Sequence, residues 1–354
     1  LLRSHGDTRS TRRNEEVLST NSFDLGCTLK NRRSSLVPGR VTVGIPTYNR
    51  AAFAERAALS VLAQTYPDLE LVVSDDPFPG DDSADRIERL NPNGKQLRVV
   101  RQSERLGLQG NFDACLRLAT GEYFLLLGDD DVLHPEAIAE LLRGFTHPPA
   151  PATPADVGMV WCPSNIVDAA GTLLWPTPPG PPLEAPERFL IALWRGNRGH
   201  RLSAALFRTQ EGIDAGGFQK RFGDLCDTGI WGPAILAHRY VVCVPRPLVD
   251  YTNHTGSTTS ASSTETWRGY ANAVHDSLLA RCRQLGLNRT ERILRRHRRD
   301  HIFGVVLTIL IQNLAKPGGK GLVLREFTRH PRIFLNTLML RRALKDGWKL
   351  LRLR

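Results

Sequence analysis

No apolar run in this 354-residue sequence reaches the roughly 18 residues that a membrane-spanning helix needs. The longest, 302–314, is interrupted by Thr308, Gln312 and Asn313. The first 40 residues hold no apolar segment of the kind that a secretory leader requires, so none is expected. Cysteines are few and scattered: Cys27, Cys115, Cys162, Cys226, Cys243 and Cys282 form no close pair. That spacing excludes a thiolate zinc site, argues against a disulfide scaffold and suits a reducing, cytoplasmic setting. There is no internal repeat, which excludes a solenoid.

What is present is an ordinary globular mixture, 41% apolar and 23% charged. The net charge of +11 is concentrated at one end. Residues 41–264 hold 19 Lys and Arg against 26 Asp and Glu, whereas residues 265–354 hold 20 against 6. Residues 1–39 are rich in Arg, Ser, Asn and Thr without periodicity and read as a disordered basic arm. The expected organisation is this arm, an α/β domain over 40–264, and a basic helical region over 265–354.

Within 40–264, apolar runs alternate with helical patterns. Strands are expected at 41–45, 69–74, 97–101 and 122–127, with helices at 50–65, 83–90 and 111–120 between them. Alternation at this spacing indicates parallel βαβ units in a doubly wound sheet, whose ligands bind at the carboxyl ends of strands. Further strands are expected at 158–162, 166–175, 201–208, 240–244 and 248–251, with a helix at 230–237 and Pro-rich loops at 147–154 and 176–186.

Three polar clusters fall at strand ends. The first is Gly128-Asp129-Asp130-Asp131, three adjacent carboxylates after an apolar strand. Such a group repels itself unless a cation neutralises it, and hard divalent ions such as Mg²⁺ or Mn²⁺ prefer oxygen ligands shared with phosphates. The bland reading is a solvated turn that caps the next helix. The second cluster is Pro46-Thr47-Tyr48-Asn49-Arg50, which offers an aromatic face and polar groups suited to a nucleobase. The third is Asp75-Asp76, an edge partner for a base or else an ordinary turn.

Taken together and in order, these pieces resemble the family 2 glycosyltransferases, inverting enzymes with the GT-A fold. The resemblance runs through Pro46-Thr47-Tyr48-Asn49-Arg50, Gln64-Thr65-Tyr66-Pro67, Asp75-Asp76, Ala119-Thr120-Gly121-Glu122-Tyr123 and the acidic triplet. It implies that Pro46, Thr47, Tyr48 and Asn49 lie along the nucleoside of a nucleotide-sugar donor, UDP being the commonest. Asp75 or Asp76 would meet the base edge, and Asp129 would stand at the family's Asp-x-Asp. Asp130 and then Asp131 would hold Mg²⁺ or Mn²⁺. Gly128 departs from the family, which often carries Asp there.

The resemblance also implies an acidic base after Gly216-Gly217-Phe218. Asp227 is the first choice and Asp224 the second, with Cys226 standing where a Glu is usual. His254, in Tyr251-Thr252-Asn253-His254, would approach the metal, and Arg105 would reach a donor phosphate. The expected activity is transfer of a hexosyl or related group to a saccharide or lipid-linked acceptor in cell-surface polysaccharide or glycolipid assembly. The alternative is a nucleotide-sugar-binding protein without catalysis.

Arg or Lys combine with apolar residues at helical spacing at 288–299 and in the last 30 residues, including 334–345, a pattern that suits either peripheral contact with an anionic membrane at the inner face of the cell membrane or solvated helices packed on the α/β domain. No nucleic-acid fold motif accompanies the charge, so nucleic acid is not an expected partner.

Overall fold

Runs of β-branched and aliphatic residues with both faces apolar build strands that must be covered on both sides. The computed structural model describes residues 36–91, 93–253 and 263–314, with Gly321 and Thr328, and it realises that rule. The chain begins β1 (Val37–Thr47), α1 (Ala51–Leu62), β2 (Leu69–Asp75), α2 (Ser83–Glu88), β3 (Gln96–Arg101), α3 (Gly107–Leu118) and β4 (Gly121–Leu126). A short β5 (Val132–Leu133), α4 (Ala137–Thr146), β6 (Val157–Trp161), β7 (Ser164–Val167), β8 (Leu173–Pro176) and β9 (Leu183–Glu184) follow. Next come α5 (Pro186–Trp194), β10 (Ala205–Arg208), α6 (Thr209–Asp214), α7 (Cys226–Ile235), β11 (Tyr240–Cys243) and β12 (Val249–Thr252). Three helices end the described chain: α8 (Thr264–Gln284), α9 (Asn288–Arg296) and α10 (Arg298–Leu314).

Eight strands form the main sheet in the order β3-β2-β1-β4-β10-β6-β11-β9, and β5-β12-β7-β8 form a smaller one. β3, β2, β1 and β4 are parallel, with β10 antiparallel to β4 and to β6. The carboxyl ends of β1, β2 and β4 therefore lie side by side along one edge. One face of the sheet packs Val41, Val43 and Ile45 against α1 and α4 through Ala57, Val61, Ile138 and Phe145. The other packs Phe124, Leu126 and Trp161 against α3, α5 and α7.

Several elements differ from expectation. β1 starts at Val37 rather than at Val41: the Val37 amide donates to Thr120 O and the Gly39 amide to Glu122 Oε2, so the strand gains residues ahead of its apolar run. α3 begins four residues before Asn111 because the Asp76 carboxylate accepts the Leu106 and Gly107 amides. Residues 201–208 divide into a short 3₁₀ turn, Leu202–Ala204, and β10. The Pro-rich stretch after 176 conceals α5, which starts at Pro186 where the missing N–H costs nothing.

The basic region is docked on the α/β domain as far as residue 310. Val274, Leu278, Leu279, Cys282 and Leu294 share a core with Trp161 and Trp231. Trp194 stacks on His301 at 4.5 Å, and Arg195 pairs with Asp300 at 2.8 Å. No helix among the described residues is long and apolar enough to cross a membrane. Residues 1–35 and the 334–345 segment lie outside the described residues.

Candidate functional site

The three polar clusters converge as their strand ends require. At β1 the chain turns out of the sheet through Tyr48 and through Asn49, whose φ is +54°, to Arg50 at the cap of α1. Thr47 is buried, and its carbonyl accepts the Asp76 amide at 3.0 Å and Asn111 Nδ2 at 3.1 Å. The ends of β1 and β2 are thereby locked together. Tyr48 meets Phe78 edge-on at 5.4 Å, while the Arg105 guanidinium lies 4.1 Å from the centre of its ring. Arg105 thus covers the aromatic wall.

Asp75 and Asp76 separate in role. Both Asp76 oxygens are engaged, Oδ1 by the Leu106 amide at 3.1 Å and Oδ2 by the Gly107 amide at 2.9 Å. Asp75 Oδ1 is buried and has no hydrogen-bond partner among the described residues. Burial and then Asp81 push the Asp75 carboxyl up to about 6. A buried acceptor without a donor is costly, and a ligand N–H relieves it.

After β4, Gly128 gives the acidic turn its space. A Cβ there would sit 3.0 Å from Asp130 Oδ1 and 3.1 Å from Asp131 Oδ2. Asp131 is held on both sides: Oδ2 accepts the Ser203 hydroxyl at 2.5 Å and Oδ1 the Thr252 amide at 3.0 Å. The Gly128 amide donates to Ser203 Oγ at 2.9 Å, and Thr252 Oγ1 donates to the Asp130 carbonyl. β12 and the 201–203 turn therefore set the shape of the acidic turn.

Burial and then the Asp130 charge raise Asp129 to about 7, against the opposing pull of Arg50. The same two causes, in the same order, raise Asp131 to about 8. Arg50 Nη1 stands between the outer pair, 3.2 Å from Asp129 Oδ1 and 3.0 Å from Asp130 Oδ2. Arg56 supports the turn by donating to the Asp130 carbonyl at 2.9 Å.

No group of three or more His, Cys, Asp or Glu among the described residues is arranged to hold a metal by itself. The donor set nevertheless suits a hard divalent ion: two carboxylates already converge on one cation, and phosphate oxygens of a ligand can complete the shell. Asp130 is the more open of the pair, its side chain 20% exposed against 11% for Asp129. His254 lies outside the described residues.

The acidic residues after Gly216-Gly217-Phe218 sit where a kinked 3₁₀ turn (Lys220–Leu225) enters α7. Gly223 has a φ of +49°, and a Cβ there would fall within the Tyr270 ring of α8. Asp227 occupies the first turn of α7, with Oδ1 accepting from the Thr228 amide and hydroxyl. Its other oxygen accepts no hydrogen bond among the described residues. Burial lifts Asp227 to about 6, opposed by Thr228 and by Arg201. Burial also raises Asp224.

Cys226, which replaces the usual Glu, is buried in the core beside these carboxyls. An earlier segment, 200–203, ties Asp227 to the acidic turn. Arg201 lies beside Asp227 and 5.0 Å from the Tyr251 ring, and Ser203, two residues on, holds Asp131. His200, packed 4.3 Å from Trp231 and kept neutral by burial, anchors that turn to α7.

Sequence reasoning did not assign roles to Arg50, Arg56, Arg201, Ser203 or Thr252. Arg50 and Thr252 left a signal, as members of the Pro46-Thr47-Tyr48-Asn49-Arg50 and Tyr251-Thr252-Asn253-His254 runs.

Comparison with known proteins is consistent with this arrangement. Residues 42–155 match the model of glycosyl transferase family 2. An uncharacterised protein of Mycobacterium tuberculosis is 29% identical over 231 residues, 62% of this chain and 68% of that one. A GalNAc(5)-diNAcBac-PP-undecaprenol β-1,3-glucosyltransferase of Campylobacter jejuni is 32% identical over 113 residues, 30% of this chain and 36% of its own length.

Among solved structures, Staphylococcus aureus TarS 1–349 in complex with UDP-GlcNAc superposes with a TM-score of 0.54 at 15% identity, covering 87% of this chain and 92% of that one. A mannosyltransferase from Pyrobaculum calidifontis in complex with GDP-Man and Mn²⁺ gives 0.50 at 17% identity, covering 88% and 85%. At these identities the likeness is one of fold, and the fold is GT-A.

Proposed function

From the membership of residues 42–155 in glycosyltransferase family 2, we propose that this chain is an inverting glycosyltransferase moving a sugar from a nucleoside-diphosphate donor to an acceptor hydroxyl. The observation that carries the reading is the meeting, at neighbouring ends of one sheet, of an unpartnered buried acceptor on Asp75 with a carboxylate pair converging on a cation.

In this reading Pro46, Thr47, Tyr48 and Asn49 border the nucleoside, with Arg105 closing the aromatic wall. Asp75 rather than Asp76 accepts the base N–H, since Asp76 is committed to α3. Asp129 and Asp130 face the diphosphate and would hold Mg²⁺ or Mn²⁺, while Asp131 keeps the turn in shape. Such an ion neutralises the departing diphosphate, so no acid is needed there. Asp227 takes the proton of the acceptor hydroxyl as that oxygen attacks the anomeric carbon. Its elevated proton affinity suits a base working near neutral pH.

UDP is the favoured donor nucleotide, as in the TarS complex, and a hexosyl-type group the favoured cargo. A saccharide or lipid-linked acceptor in cell-surface polysaccharide or glycolipid assembly, reached by peripheral contact of the basic region with an anionic membrane, completes the proposal.

The direct test is thermal stability against a panel of nucleoside diphosphates and nucleotide sugars with and without Mn²⁺. Stabilisation by one nucleotide, larger with metal, is the expected result; no shift with any of them overturns the reading. Asp75→Ala is expected to weaken donor binding about tenfold to a hundredfold, the effect of removing a buried acceptor from its donor. Isothermal titration with the preferred nucleotide checks this, and unchanged affinity would remove Asp75 from the base site.

A further inference from the structure

The α9 segment carries charge that the chain itself leaves unanswered. Arg289, Arg292 and Arg296 recur at intervals of three and four on α9, and Arg299, the second residue of α10, continues the spacing. Residues spaced in this way lie on one helical face. All four are exposed. The acidic residues nearby are turned elsewhere and already paired. Glu291 holds Arg295 at 2.6 Å and lies 4.0 Å from Arg283, Asp300 is taken by Arg195 and His297, and Asp276 by Arg298. None of the four arginines has an ion pair or side-chain hydrogen bond among the described residues. Leu294, on the opposite face, is buried in the core, so the orientation of α9 is fixed with its arginines outward.

We propose that Arg289, Arg292, Arg296 and Arg299 form a docking surface for an anionic phospholipid bilayer. Arg289, Arg292 and Arg296 span about 10 Å on α9, a convex ridge that meets a plane of headgroup phosphates, with Arg299 just beyond the His297 turn. Leu285, 37% exposed, caps the end of α8 in the turn that leads into α9 and offers an apolar contact beside the arginines. A single-stranded nucleic acid is the poorer fit, because residues 285–299 contain no aromatic side chain on which a base could stack. The inference deepens the proposed function and rests on it only for the acceptor that such docking would bring within reach.

The test is co-flotation of the full chain with vesicles of phosphatidylcholine alone or mixed with phosphatidylglycerol, at low and high salt. Binding is expected only to the phosphatidylglycerol vesicles, with release by salt. Each surface arginine is worth roughly fivefold in partition, so the variant with Arg→Gln at 289, 292, 296 and 299 should lose about several hundredfold. The double variant Arg292→Gln with Arg296→Gln, milder for folding, should lose about tenfold to thirtyfold. A control with Arg283→Gln and Arg295→Gln, which removes charges already shared with Glu291, should bind as the wild type does.

Equal partition of the variants and wild type, or equal binding to both vesicle types, overturns the proposal. So does tighter binding to single-stranded DNA than to phosphatidylglycerol vesicles at the same salt. The nucleotide thermal shift, read on the same preparations without vesicles, shows that the variants are folded. A wild type that floats but shows no nucleotide shift would sink the transferase reading and leave the docking surface standing.

Discussion

Asp227→Asn is expected to lower turnover by about a hundredfold to ten-thousandfold while donor binding stays within about twofold of wild type. The amide keeps the shape of the carboxylate, and its oxygen can still accept the Thr228 amide and hydroxyl that now bond to Asp227 Oδ1. What it loses is the ability to accept a proton. The donor groups lie at the ends of β1, β2 and β4 and none of them is on α7, so the thermal shift given by nucleotide and Mn²⁺ should survive.

The pH profile provides a second reading of the same residue. A base must be unprotonated to act, so turnover at saturating donor and metal should rise with pH through about 6, the level to which burial lifts Asp227. Saturation matters, because Asp129, one of the two carboxylates assigned to the cation, is raised to about 7 and must also be ionised before a cation binds. In Asp227→Asn the limb near pH 6 should vanish from what turnover remains. If the variant retains both the rate and the limb, Asp224, also raised by burial, becomes the base. If neither protein turns over any nucleotide sugar yet both bind one, the chain is a binding protein.

Much of the route to this site was legible from residue order. The alternation of apolar runs with helical patterns located β1 to β4 and α1 to α3 within a few residues, because burial on both faces demands continuous apolar strands. The strand-end clusters followed from those boundaries. Elements held by tertiary partners were less legible. α5 hides in a Pro-rich stretch because Pro186 sits at the one helical position that tolerates it, and β9 is a two-residue strand that exists only through β11. The choice between Asp75 and Asp76 depends on two amides 30 residues further on. The Ser203 and Thr252 contacts to Asp131 join segments 72 and 121 residues away. No local pattern encodes separations of that kind.

Asp130→Ala is expected to abolish the Mn²⁺-dependent part of nucleotide stabilisation and to lower turnover at least a hundredfold. A ligand at a hundred times its dissociation constant stabilises the native state by about 2.7 kcal/mol, or about 5–10 °C for a domain of this size. Without the Asp130 carboxylate the nucleotide retains Asp75 and the aromatic wall, so a smaller, metal-independent shift should persist. A variant that keeps the full Mn²⁺ effect would move the metal to other ligands.

Arg50 makes the companion case. Its guanidinium lies between the two carboxylates that a cation would share, so in the free protein it competes for that position. Arg50→Ala should therefore bind Mn²⁺ several-fold more tightly when nucleotide is absent, as read by manganese spin resonance. Its effect on turnover is separate and downward, because the turn loses the cation that holds Asp129 and Asp130 together. Opposite signs for metal affinity and rate in one variant, beside the loss of both in Asp130→Ala, would distinguish a counter-cation from a ligand.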